Sequence, residues 1–144
     1  MAVFFADADN VVMEEVPREL DWVKERAACT VDKMFTLLHQ SVEEDAKSVN
    51  QIQKLPEHAA FEVVLNREGD AFTVKRAEAT RPFVRFAKEG DRITVSSDTG
   101  TPKLVFRIGL SDEGRCKLTE NGTEREQWQV RKTCLEGLFF PASV

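Results

Sequence analysis

Two hydrophobic periods divide the chain. Between Leu20 and Ile52, apolar side chains recur every three or four residues: Leu20, Val23, Ala27, Val31, Met34, Leu38, Val42, Ala46, Val49 and Ile52. That spacing lines one face of an α-helix. Pro17 stands where a helix start tolerates a missing N–H, and Glu19 and Asp21 follow in what would be the first turn, where acids meet the positive end of the helix dipole. No Gly or Pro interrupts before Pro56. The pattern therefore predicts one helix over 18–54 that stops ahead of that proline.

From Ala60 the period falls to two. Strands are predicted at 60–66, 70–77, 81–87, 92–97, 103–110, 115–120 and 123–133. The breaks carry turn residues, among them Glu68-Gly69-Asp70, Glu89-Gly90-Asp91, Ser111-Asp112-Glu113-Gly114 and Asn121-Gly122. Connections this short impose an antiparallel meander, since parallel strands need a dozen or more residues to cross over. The expected fold class is α+β: one long N-terminal amphipathic helix packed on a curved antiparallel meander sheet of about six or seven strands. Residues 1–16, which alternate apolar and acidic stretches, are read as an N-terminal arm, docked or forming a short helix. Residues 17–144 form a single domain, closed by an apolar tail, 134–144, that docks on the body or on a partner.

The predicted helix raises a geometric problem. At ~1.5 Å per residue it would reach ~55 Å, while a compact chain of this length spans very roughly 37 Å. It must kink, with Ala27–Val31 the candidate stretch, or its overhang must pack on a second copy. A large bare apolar overhang marks a contact site. The expected assembly is a homo-oligomer, a dimer, joined through that stripe and the tail.

Strand alternation lets the two sheet faces be read separately. One carries Phe61, Val63, Leu65, Phe72, Val74, Val84, Phe86, Ile93, Val95, Phe106, Ile108, Cys116, Leu118, Trp128 and Val130, and the helix stripe should cover it. The other carries ten cations and one acid, Glu62. Its candidate binding residues are Arg81, Arg85, Arg92, Lys103, Arg107, Arg115, Lys117 and Arg131, accompanied by Lys75 and Arg125. Phe83 and Val105 add apolar points among them. A polar outer face is also the default of a half-exposed sheet, and acids collect in turns because Asp is disfavoured in strands.

Charge sharpens this picture. The 144-residue chain has a formal net charge of −5. Residues 1–60 hold 6 basic and 12 acidic residues, whereas 61–133 hold 14 basic and 12 acidic. An acidic first part is thus joined to a mildly basic second part. Three partners suit the cationic face: an acidic protein surface, which includes the Asp7–Glu15 arm or a second copy's acidic helix; a nucleic acid; or a small phosphorylated ligand. The acidic protein ranks first, because the overall acidity and the absence of a nucleic-acid motif weigh against the second. No stretch approaches the roughly 20 apolar residues of a spanning helix, so no membrane partner is expected.

The chemistry-bearing residues form no recognised catalytic motif. Cys29, Cys116 and Cys134 are odd in number and lack a C-x-x-C pair. They are read as free thiols in a reducing, cytoplasmic setting, with Cys116 inert against the core. His39 stands one turn from Glu43 on the helix, and a surface His–Glu hydrogen bond is expected there rather than a metal site, for want of a third ligand. His58 belongs to the link after Pro56. Neither H-E-x-x-H, G-x-G-x-x-G nor a Gly-Lys-Ser/Thr loop occurs. The expectation is a non-enzymatic interaction module without cofactor or metal. The alternative is a carrier of a small apolar ligand, with a pocket between helix and sheet lined by Phe35, Phe86, Phe106 and Trp128.

Overall fold

Thr30 ends one helix and starts another. In a computed structural model, which describes residues 19–98 and 102–141, Thr30 adopts an extended backbone and its hydroxyl accepts a hydrogen bond from the Lys33 N–H at 3.2 Å. Helix α1, Trp22–Ala28, therefore stops just before it, and α2, Val31–Ile52, begins just after. The single helix expected over 18–54 is thus two. A threonine hydroxyl competes for backbone N–H groups and is favoured at an N-cap, so the break needs neither Gly nor Pro. The 22 residues of α2 span ~33 Å, which removes the overhang. After Ile52, Lys54 takes a positive φ of 53° and the Leu55 N–H bonds back to the Asn50 carbonyl at 3.1 Å. This Schellman-type stop precedes Pro56.

A seven-stranded sheet follows, antiparallel throughout and in sequence order. Its strands are β1 Phe61–Leu65, β2 Ala71–Arg76, β3 Phe83–Glu89, β4 Arg92–Ser97, β5 Leu104–Leu110, β6 Cys116–Glu120 and β7 Thr123–Arg125. Asn121 and Gly122 both have positive φ, 50° and 81°, as the two-residue hairpin between β6 and β7 requires. Register confirms the inner face: Leu65, Phe72, Phe86, Val95 and Leu104 are successive cross-strand partners. Against it α2 lays Met34, Phe35, Leu38, Val42, Ala46 and Val49, all buried. Phe72 stacks on Phe86 with ring centroids 4.8 Å apart and meets Phe35 at 5.3 Å.

The last predicted strand, 123–133, is mostly helix. β7 ends at Arg125, and α3 runs Gln127–Phe139. Glu126 starts it with a capping box, in which the Gln129 side chain accepts from the Glu126 N–H at 2.8 Å. Val130, Leu135, Leu138 and Phe139 are buried on its inner side, and Phe139 meets Phe61 edge-on at 4.9 Å. The alternation of Trp128 and Val130 imitates a strand over a short window. The helical period emerges only when the segment is read on through Phe139.

The cysteines also differ from expectation. Cys29 and Cys116 form a disulfide that ties the α1–α2 junction to the start of β6, and Cys134 is the free thiol. Chain separation hid the pair: the two are 87 positions apart, and only the fold brings them together. Beside this bridge Leu20 packs on Gly114, on the side where any other residue would carry its Cβ, and Gly114 has a φ of +85°. The expected arm, 1–16, lies outside the described residues. No helix among the described residues is long and apolar enough to cross a membrane.

Candidate functional site

Strand register sorts the predicted cations. Arg85 is the partner of Thr73 and Ser96, and Arg107 the partner of Arg92 and Thr119. Lys117 faces Gly109. All alternate with buried residues and so occupy the face turned away from the helices. Lys103 sits just before β5 beside Glu89 of that face, and Arg115 just before β6, where it closes the turn with Ser111. Arg81 lies ahead of β3, before the cis peptide at Pro82.

Two predicted members are elsewhere. Arg131 is on α3, and its Nε donates to Asp45 Oδ2 of α2 at 2.8 Å. It belongs to the helical side because 127–139 is helix. Arg125 pairs with Leu118, an inner-face residue, and reaches Glu120 at 3.6 Å.

Glu62 of β1 and acids at strand ends and turns neutralise most of the remaining cations. Lys75 pairs with Glu62 at 2.9 Å, Arg81 with Asp98 at 3.1 Å, Lys103 with Glu89 at 3.8 Å and Lys117 with Glu126 at 3.0 Å. Asp91 lies 3.6 Å from both Arg92 and Arg107, which face each other across β4 and β5. One carboxylate thus relieves a like-charge cross-strand pair. The Glu126 hydrogen bond raises the pKa of Lys117, and the Phe83 N–H donated to the Asp98 carboxylate, aided by Arg81, lowers that of Asp98. Apart from Glu62, which was counted, a residue-type count by face misses these acids because they sit at strand ends and in turns. The signal was adjacency, as in Asp91 before Arg92.

Among the described residues, Arg85 and Arg115 have no ion-pair partner. With Arg107, whose single carboxylate is shared, they form a diagonal. Counting register steps at ~3.4 Å along strands and ~4.8 Å across them puts Arg85 roughly 17 Å from Arg107, and Arg107 roughly 15 Å from Arg115. Each gap exceeds the ~8–10 Å over which salt screens exposed charges. The three act as separate points, with Val64 and Val105 exposed on the same face.

The four aromatics expected around a helix–sheet pocket are not brought together. Phe35, Phe86 and Phe106 are 3%, 0% and 1% exposed within the core. Trp128 is on the outside of α3, 56% exposed. A groove of about 450 Å³ instead lies between α2 and α3, where Trp128, Ile52 and Phe140 stand exposed around Val49, Leu135 and Phe139. Its charged residues are Asp45 with Arg131, and Lys132 with Glu136 at 3.1 Å.

His39 Nε2 lies 3.7 Å from Glu43, too far for a hydrogen bond, and is buried without a partner. Its ring packs on Phe72 at 5.0 Å, which holds it against the core rather than out toward Glu43. Among the described residues no three His, Cys, Asp or Glu side chains gather as a metal site.

No protein-family model, curated protein or solved structure matches this chain.

Proposed function

We propose that the chain is a non-enzymatic, homo-oligomeric interaction module whose outer sheet face receives an extended acidic segment of a protein partner. The observation that carries this reading is the Arg85–Arg107–Arg115 diagonal. Its gaps of roughly 15–17 Å are spanned by about four residues of extended chain plus side-chain reach, an even spacing that keeps the acids on one side. A peptide with acids at that interval meets each arginine in turn, while Val64 and Val105 give it apolar footing.

The same spacing separates the alternatives. A small phosphorylated ligand needs two or more cations within one grip, which three such distant arginines do not offer. A nucleic acid carries one phosphate per ~3.4 Å of rise on each strand, so most of its charge would face this net-negative chain unneutralised. The bonded Cys29–Cys116 pair removes the free-thiol argument for a cytoplasmic setting. It favours an oxidising compartment, where structural disulfides persist.

The test is anisotropy of a labelled extended peptide with glutamates every four residues, titrated with the full chain at two salt concentrations. Binding that weakens with salt and is lost in the R85E/R107E/R115E variant is expected. Salt-insensitive binding, or none, refutes the acidic-partner reading.

A further inference from the structure

The exposed stripe along α3 is complementary to itself when turned end for end. Trp128, Lys132 and Glu136 stand four residues apart along one side of α3, and Phe140, the residue that caps its C-terminal end, follows at the same interval. All four are more than half exposed: 56% for Trp128, 60% and 58% for the Lys132 and Glu136 side chains, and 55% for Phe140. The order is apolar, basic, acidic, apolar.

Two antiparallel copies of this helix related by a two-fold axis at position 134 would oppose residues whose numbers are equidistant from it. Lys132 then faces Glu136 of the second copy, and Trp128 faces its Phe140. Every apolar residue of the stripe meets an aromatic partner and every charge meets its opposite. A two-fold interface places one patch against itself, so it demands this self-complementarity. Rows spaced by four are also the ridges that interlock most often between packed helices. Gly137 stands beside the stripe, and a Cβ there would touch nothing within 4 Å, which leaves room for close approach.

We propose that the α3 stripe, continued by Ile52 at the end of α2, is the self-contact of a two-fold dimer. The occupant is a second copy of this chain. The proposal rests on the homo-oligomeric reading above and locates its interface. Covering the exposed parts of Trp128 and Phe140 removes on the order of 100–150 Å² each from water on either copy. A standard interface buries ~800 Å² per partner, so the contact would extend past these two rings onto Ile52 and the groove edges.

Charge reversal on the stripe tests this, because both residues are exposed and the fold does not need them. Light scattering of the full chain should give twice the 16.3 kDa chain mass. K132E and E136K each place like charges at both symmetric contacts, and each alone should dimerise about tenfold more weakly. An equimolar mixture of the two variants should regain the wild-type mass, since acid of one then faces base of the other twice. A contact made only within one helix predicts no such rescue on mixing. If both single variants dimerise as tightly as the wild type, the stripe is not the interface, although the homo-oligomeric reading stands. If the wild type is a monomer at all concentrations, both fall.

Discussion

Cys29 and Cys116 join the break between two helices to a strand 87 residues later in the chain. The bridge anchors an element with little other hold. Helix α1 buries none of its residues, and Trp22 and Val23 are exposed. A cross-link closing so long a loop restricts the unfolded chain by about 4–5 kcal/mol in the chain-entropy account. Reduction, or the C29S/C116S variant, should therefore lower the urea midpoint substantially and open Trp22–Ala28 to proteolysis. Adding reductant to C29S/C116S should change nothing further. An unchanged wild-type midpoint under reductant would mean that the bridge does not close in solution.

What could be read from the sequence was whatever repeats locally. The alternation from Phe61 to Leu118 gave the strand phases, and Asn121-Gly122 gave a hairpin, because pleat and turn chemistry act over a few residues. The division at Thr30 was legible only as a length problem, which made Ala27–Val31 the candidate stretch for a kink; the apolar stripe continues through Val31, and the cap itself is a single hydroxyl. Helix α3 was hidden because its first four residues alternate like a strand. The disulfide and the Asp45–Arg131 pair join segments 86–87 residues apart, where no periodicity reports. The cationic face was legible in sign and side, since Arg85 and Arg107 do share it. Its strength was not, because turn acids such as Asp91 and Asp98 reach back onto it.

Cys134 should be silent toward thiol reagents. Burial, with a smaller contribution from Glu120, pushes its thiol up from 9.0 to about 12. The folded chain at pH 8 should give no reaction with a thiol-exchange reagent. Without reductant the denatured chain should give one thiol, and after reduction all three cysteines. A proton held by the folded state and released by the unfolded one makes stability fall as pH rises from about 9 toward about 12. The C134A variant should lose that part of the slope. A fast-reacting thiol in the folded protein, or equal slopes, would contradict the buried placement.

Asp98 closes the end of the β3–β4 hairpin through charge. Its Oδ1 accepts from the Phe83 N–H at 2.9 Å and its Oδ2 from Arg81 Nε at 3.1 Å. The first contact is the main reason its pKa lies below 3.8, with Arg81 adding to it. The unfolded carboxyl binds its proton at higher pH than the folded one, so this contribution is complete above 3.8 and lost as pH falls through the depressed value. D98N should be less stable than the wild type at neutral pH, and the gap should close in strong acid. Urea midpoints at pH 7 and below pH 3 check this; a gap independent of pH would assign Asp98 a role of shape alone.

Asn50 holds the edge strand to the long helix by imitating a neighbouring strand. Its Nδ2 donates to the Phe61 carbonyl at 3.0 Å, and its Oδ1 accepts from the Phe61 N–H at 2.8 Å. The side-chain amide thus satisfies both polar groups of the first residue of β1, whose side chain is buried in the core. N50A removes a donor and an acceptor together and leaves the partly buried Phe61 backbone to find water. Each such loss costs about 1–3 kcal/mol, so the variant should fall by a few kcal/mol in urea unfolding. The helix should survive, since Leu38, Val42, Ala46 and Val49 still pack on the sheet, and the far-ultraviolet spectrum should keep its helical signal. Amide exchange at Phe61 and along β1 should accelerate more than in β3 or β4. Uniform acceleration across the sheet would show that Asn50 supports the whole fold rather than this edge.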